Sequence, residues 1–237
     1  MPEQHPSGTI GRRGFLAAAA AGATCAVPML VGLPRKLSAS GGGFALVEPE
    51  TPDQALARLY EGQTRFAEGR VTSPNRNLAR VREVAPKQKP FAAFLGCADS
   101  RVPIEILFDQ GFGDVFVTRV AGNVADPAII GSLEFGTQIL GAKVIYVLGH
   151  SGCGAVAAAM SGGAVPGQIS TLYQHLIPAT RGANGNLDAA IKRNVELQAD
   201  LLRSASPVIA DLVKAGKLKI AGGIYDLATG RVTPVSV

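Results

Sequence analysis

Phe91-Ala92-Ala93-Phe94-Leu95-Gly96-Cys97-Ala98-Asp99-Ser100-Arg101 is the stretch whose reading decides the fold. A continuous apolar run follows Pro90 and stops at a cysteine and a charged turn. A short run without polar alternation suits a strand buried on both faces, as in parallel sheets covered by helices. Three more runs share this character: Val115 to Val120, Val144 to Leu148, and Leu218 to Tyr225. Between them, helical spacing of apolar residues runs from Ala128 to Leu140, from Ala155 to Met160, and from Leu187 to Ala215 with a break near Pro207. A further helix is expected from Pro52 through Phe66, stopping at Gly69, with Ser73-Pro74-Asn75 as a connector. Strands alternating with helices predict right-handed crossovers and one α/β domain over residues 50–237, a mainly parallel central β-sheet flanked by helices.

Composition narrows the function. The chain has 237 residues, 47% of them hydrophobic and 17% charged, which excludes a disordered protein and allows one sizeable core. Its formal charge of +5 is concentrated at one end: Arg12, Arg13, Arg35 and Lys36 face only Glu3 in residues 1–40, leaving 19 bases and 17 acids elsewhere. A nucleic-acid partner, which would require a basic patch on the folded domain, is therefore not expected. Three cysteines do not make a disulfide scaffold, so each needs its own explanation.

Gly11-Arg12-Arg13-Gly14-Phe15-Leu16 opens an uncharged, Ala- and Gly-rich stretch reaching Leu33. Paired arginines before a weakly hydrophobic segment resemble a twin-arginine export signal, implying passage through the twin-arginine (Tat) translocase and a periplasmic or other extracytoplasmic location in a bacterium. A retained membrane anchor is the competing reading, weakened by the Ala and Gly content. Residues 1–40 are read as the signal, with cleavage between about residues 38 and 48 near Ser38-Ala39-Ser40. Cys25 then belongs to the leader, and two cysteines remain in the mature chain.

In open parallel sheets, functional groups gather beyond the carboxyl ends of the strands. Cys97 ends the first expected strand, and His150, followed by Ser151-Gly152-Cys153-Gly154, stands at the end of the third. If those strands are neighbours, two sulfurs and an imidazole converge. That donor set suits zinc, and Cys153 at a helix start gains thiolate character from the helix dipole. A closed structural site needs four such ligands, whereas the mature chain offers only His175 besides these three. The fourth position falls to water, Asp99 or His175, and three protein ligands plus an exchangeable fourth is the catalytic arrangement. Asp99 and Arg101, on the turn after Cys97, are expected to form a charge-assisted pair beside the metal.

Cys97-Ala98-Asp99-Ser100-Arg101-Val102-Pro103, His150-Ser151-Gly152-Cys153-Gly154 and Gly222-Gly223-Ile224-Tyr225-Asp226-Leu227-Ala228-Thr229-Gly230 together resemble the β-class carbonic anhydrases. The resemblance implies that fold, with an N-terminal helical arm for dimerisation, and an enzyme that reversibly hydrates CO2 to bicarbonate and a proton through zinc-bound hydroxide. It implies Cys97, His150 and Cys153 as Zn2+ ligands and Asp99 and Arg101 as a catalytic dyad, with Asp99 swinging in as fourth ligand in a closed state. It assigns Gln88, Phe116 and Gly154 to the substrate pocket and makes the protein a homodimer or higher homo-oligomer. Phe135 replaces a family tyrosine near the pocket. Phe94 stands where bicarbonate-switched members carry tryptophan, although Val102, Gly154 and Arg119 match that type. His175 is weighed as a proton shuttle. A related zinc hydrolase of CS2 or COS and a non-catalytic zinc-binding relative are the alternatives.

Overall fold

The structure, a computed structural model, describes residues 49–237. The leader expected over residues 1–40, Cys25 included, lies outside the described residues. No helix among the described residues is long and apolar enough to cross a membrane.

Five strands form one sheet in the order β2-β1-β3-β4-β5: β1 (Ala92–Gly96), β2 (Val115–Arg119), β3 (Val144–His150), β4 (Lys219–Tyr225) and β5 (Val232–Val235). The first four are parallel and β5 is antiparallel to β4. The four apolar runs thus become four parallel strands. The first stops at Gly96, one residue short of the expected end, because the chain turns at Cys97 to bring Asp99 and Arg101 into a tight bend. The sequence reading missed β5, a short strand containing Pro234; an edge position tolerates the proline's missing N–H.

Side chains of the central strands alternate between two cores. Ala92 and Phe94 of β1 and Val144, Tyr146 and Leu148 of β3 point to one side, where they meet Ala55 and Leu59 of α1 (Pro52–Ala67) and Ile104 and Leu107 of the single-turn α3 (Ile104–Leu107). Ala93, Leu95, Ile145 and Val147 point to the other. There they meet Leu133 of α4 (Pro127–Glu134), Val195, Ala199 and Leu202 of α7 (Leu187–Ala205), and Ile209 of α8 (Pro207–Lys214). Helix α1 lays its apolar face on its own chain. A capping box starts it: Thr51 Oγ1 accepts the Gln54 N–H at 3.2 Å and Gln54 Oε1 accepts the Thr51 N–H at 3.0 Å, with Pro52 in the first turn.

Two helices depart from expectation. The segment read as one helix from Ala128 to Leu140 starts at Pro127 and changes at Phe135 into a π-helical turn, Phe135–Ile139. Gly136 sits there with the Phe116 ring against it, where a Cβ would come within 2.9 Å of the ring. The long helix breaks at Ser206, which caps α8 by accepting the Ile209 N–H at 3.0 Å. The remaining helices among the described residues are α2 (Leu78–Val84), α5 (Gly154–Ser161), a short 3-10 turn (Gly167–Ile169) and α6 (Ser170–Thr180). The sequence reading assigned neither α2 nor α6, and α6 contains Pro178.

Asp109, fully buried, ties α1 to the loop before α2. It accepts hydrogen bonds from Arg65 Nε at 2.7 Å, the Thr72 N–H at 3.0 Å, Thr72 Oγ1 at 3.1 Å and the Ser73 N–H at 2.9 Å. Burial opposes ionisation, but these donors outweigh it and hold the carboxyl below its ordinary value of 3.8. A depressed carboxylate contributes its stability fully above the unfolded-state pKa and loses it as pH falls through the folded-state one. Urea unfolding of Asp109→Asn is expected to give a loss of roughly 1.5–3 kcal/mol at neutral pH. That deficit should shrink as both proteins are acidified below about pH 4; a pH-independent deficit would remove the ionised carboxylate from the account.

Candidate metal centre

Strand β1 lies between β2 and β3, so the chain's winding reverses between β1 and β3. This is the switch point at which open α/β sheets hold ligands. Gly96 pairs with Leu148, and β3 runs two residues further, so Cys97 emerges beside Gly149 and His150. Gly149 has no side chain because α7 passes close: a Cβ there would meet Val195 Cγ2 at 2.7 Å. Cys153 follows a turn through Gly152, at φ 61°, and caps the amino end of α5.

One ligand atom each from Cys97, His150 and Cys153 lies within 4.8 Å of the others, and all three residues are buried. The carbonyl of Ser151 accepts from His150 Nδ1 at 3.0 Å, which fixes Nε2 as the lone-pair nitrogen. That nitrogen is buried and has no hydrogen-bond partner among the described residues. The Cys97 thiol is drawn well down by its hydrogen bond with Cys153, against burial and with help from His150 and the Gly122 N–H. Cys153 is pushed up, first by the same shared bond and then by burial, although the first-turn amides of Ala155 and Val156 favour its thiolate. His150 is opposed by burial and raised on balance by the nearby Cys97 sulfur. Two sulfurs this close in an apolar shell both ionise only with a cation between them. An orphaned imidazole nitrogen facing two thiols is the donor chemistry of zinc.

Asp99 stays out of this cluster. Arg101 grips it twice, Nε to Oδ1 at 3.0 Å and Nη2 to Oδ2 at 2.8 Å, and the Arg101 N–H adds a third bond to Oδ1 at 2.9 Å. These bonds hold the carboxyl far below the usual carboxylate range. Its Oδ2 lies 3.9 Å from His150 Nε2, so the carboxylate borders the centre without joining it. Arg101 is exposed and Asp99 half-buried, which opens this side of the centre to solvent.

The other expected residues divide. Gly154 is exposed in the first turn of α5, and a Cβ there would touch nothing, so space remains beside Cys153. Val102 and Phe94 are core residues. Gln88 lies before β1 and Cys97 after it, so the five residues of β1 separate them by about 17 Å of strand. Phe116, second in β2, pairs with Ala93 and likewise sits toward the amino end of the sheet. Neither is brought to this chain's own cluster. His175 is on α6, its Nε2 3.3 Å from Gln174 Nε2, outside the metal-capable group.

Two contributors escaped the sequence reading. Arg119 stands out in the sequence only as a family match, yet Nε reaches the Cys97 carbonyl at 2.7 Å and Nη2 the Asp99 carbonyl at 2.5 Å, bracing the turn. Its position at the carboxyl end of the strand next to β1 was the available signal. Ser151 accepts the Leu227 N–H on Oγ at 3.0 Å and donates its own N–H to Tyr225 at 2.9 Å. The closing motif thereby holds the carbonyl that orients His150. Asp226 folds that loop by accepting from Ala228, Thr229 N–H and Thr229 Oγ1.

A parallel sheet with a Cys-His-Cys donor set and a carboxylate held beside it defines a mononuclear zinc protein of the α/β class. The family model described as carbonic anhydrase matches residues 92–232. Carbonic anhydrase 2 of Mycobacterium tuberculosis is 38% identical over 188 residues, covering 76% of this chain and 91% of that protein. The carbonic anhydrase of Mycolicibacterium smegmatis is also 38% identical, over 76% of this chain and 92% of its own. Among solved structures, the β-carbonic anhydrase CcaA aligns with a TM-score of 0.61 at 26% identity, over 76% of this chain and 86% of that one. A tetrameric β-carbonic anhydrase of Sordaria macrospora gives 0.61 at 26% identity, over 66% and 86%. The chain belongs to the carbonic anhydrase family, with the fold of its β class.

Proposed function

We propose that Cys97, His150 and Cys153 hold the zinc ion with which this carbonic anhydrase reversibly hydrates CO2 to bicarbonate and a proton. The observation that carries the assignment is the buried three-donor cluster whose imidazole Nε2 has no other partner. Bound there, zinc supplies the Lewis acidity that makes water a nucleophile near neutral pH. Asp99 stays ionised across the working range because Arg101 holds its charge, so it acts purely as an acceptor. With Oδ2 beside the cluster, it would accept a hydrogen bond from the attacking oxygen and so aim that oxygen's lone pair at CO2. Arg101 holds Asp99 outside the three-donor cluster, so Asp99 would not be a fourth ligand to a zinc ion bound there; this is the open arrangement. Gln88 and Phe116, remote from their own chain's cluster, serve the site of a second copy, which makes the working unit a homo-oligomer. Residues 1–40 direct export through the twin-arginine translocase, a reading supported by Arg12-Arg13 before an apolar, uncharged segment.

Stopped-flow CO2 hydration on zinc-loaded protein tests the activity and is expected to rise with pH between about 7 and 8.5. Asp99→Asn should keep its zinc and lose on the order of 10²–10⁴-fold in turnover, at every pH because Asp99 does not titrate there. Full activity in that variant would take Asp99 out of the reaction. Bound zinc with no hydration at any pH would favour a non-catalytic relative, and preferred turnover of COS or CS2 the related hydrolase. For export, Arg12→Lys with Arg13→Lys should leave the protein in the cytoplasm; unchanged fractionation would refute the leader.

A further inference from the structure

Behind Cys97, the loop after β2 is held by two carboxamides on an otherwise apolar helix face. Asn194 and Gln198 lie one turn apart on α7, 1% and 3% exposed, among Ala190, Ile191, Val195, Ala199 and Leu202. Asn194 Nδ2 donates to the Gly122 carbonyl at 2.8 Å and lies 3.4 Å from Asn123 Oδ1. Gln198 Nε2 donates to Asn194 Oδ1 at 3.1 Å, while Gln198 Oε1 accepts the Ala125 N–H at 2.8 Å. On its other side Gly122 donates its N–H to Cys97 Sγ at 3.3 Å. A continuous relay of hydrogen bonds therefore runs from the middle of α7 to the sulfur.

Gly122 is the joint of that relay. Its backbone is left-handed, φ 78°, and a Cβ there would come within 3.0 Å of Leu176 and 3.3 Å of Ala155. Apolar packing presses it from one side and Asn194 holds it from the other. Buried carboxamides are expensive unless paired, and apolar side chains of similar size would fill the space at little cost if packing were all that mattered.

We propose that Asn194, oriented by Gln198, is a positioning residue for the metal centre: it locks Gly122 so that the Gly122 N–H stays on the Cys97 sulfur. The N–H stabilises the thiolate and fixes the direction of its lone pairs toward the metal. Groups one step behind a ligand commonly govern metal affinity in this way. The inference rests on Cys97 being a zinc ligand.

The test is zinc affinity at fixed pH by chelator competition, read together with the thiolate-to-metal charge-transfer band of the cobalt(II)-substituted protein. Asn194→Leu is expected to weaken zinc by about tenfold or more and to move the band to longer wavelength, because a thiolate without its N–H donor is a stronger electron donor. Gln198→Met should shift both in the same direction by less. Ser206→Ala, which removes the cap of α8, reports the effect of lost stability alone and should leave both readouts unchanged. Wild-type affinity and band position in folded Asn194→Leu overturn the proposal; if that variant does not fold, the same result in Gln198→Met does so. A wild-type protein that binds neither zinc nor cobalt would instead overturn the ligand assignment on which the inference rests.

Discussion

The parallel pairing of β1 with β3 is the constraint on which the rest depends. Cys97 and His150 are 53 positions apart in the chain and share no local structure. They meet because Gly96 pairs with Leu148 in register and both strands run the same way. A slip of one residue between the two strands would turn either Phe94 or Tyr146 from the α1 core toward the α7 core, so the packing that sets the register also sets the spacing of the donors. Cys153 joins them through one tight turn, with Gly152 in a conformation that few other residues adopt.

What the sheet assembles is electrostatically unfavourable by itself. The two sulfurs pack among Val124, Val156, Leu176 and Ile191, and all three donor residues are buried. Backbone amides at Gly122 and at the start of α5 favour the thiolates, and the Ser151 carbonyl turns the imidazole lone pair inward. A divalent cation resolves the remaining conflict by letting both sulfurs ionise together. Asp99, a carboxylate beside the cluster, is neutralised from outside by Arg101 and is thereby free for work at the open side.

The sequence discloses this centre unusually well because its donors sit at strand ends, where an apolar run abruptly becomes polar. β1, β3 and β4 were legible because burial on both faces leaves little polar alternation, and β2, an edge strand only partly buried, because Val115, Phe116 and Val117 form a short apolar run. Other features were hidden for physical reasons. Strand β5 is short and carries Pro234, and α6 carries Pro178, so each has a residue that argues against its own structure. The π turn at Phe135 keeps a helical pattern of apolar residues while altering the backbone. Arg119, Asn194 and Ser151 act through backbone groups remote in sequence, and no local pattern announces such partners. For Asn194 the available sign was polar: an asparagine and a glutamine one turn apart on the buried face of α7.

X-ray absorption at the zinc edge of the purified, zinc-loaded protein measures the central claim directly. The account predicts two sulfur neighbours at about 2.3 Å and lighter N or O atoms at about 2.0–2.1 Å completing four-coordination. A zinc shell without sulfur, or one made of sulfur alone, would contradict it.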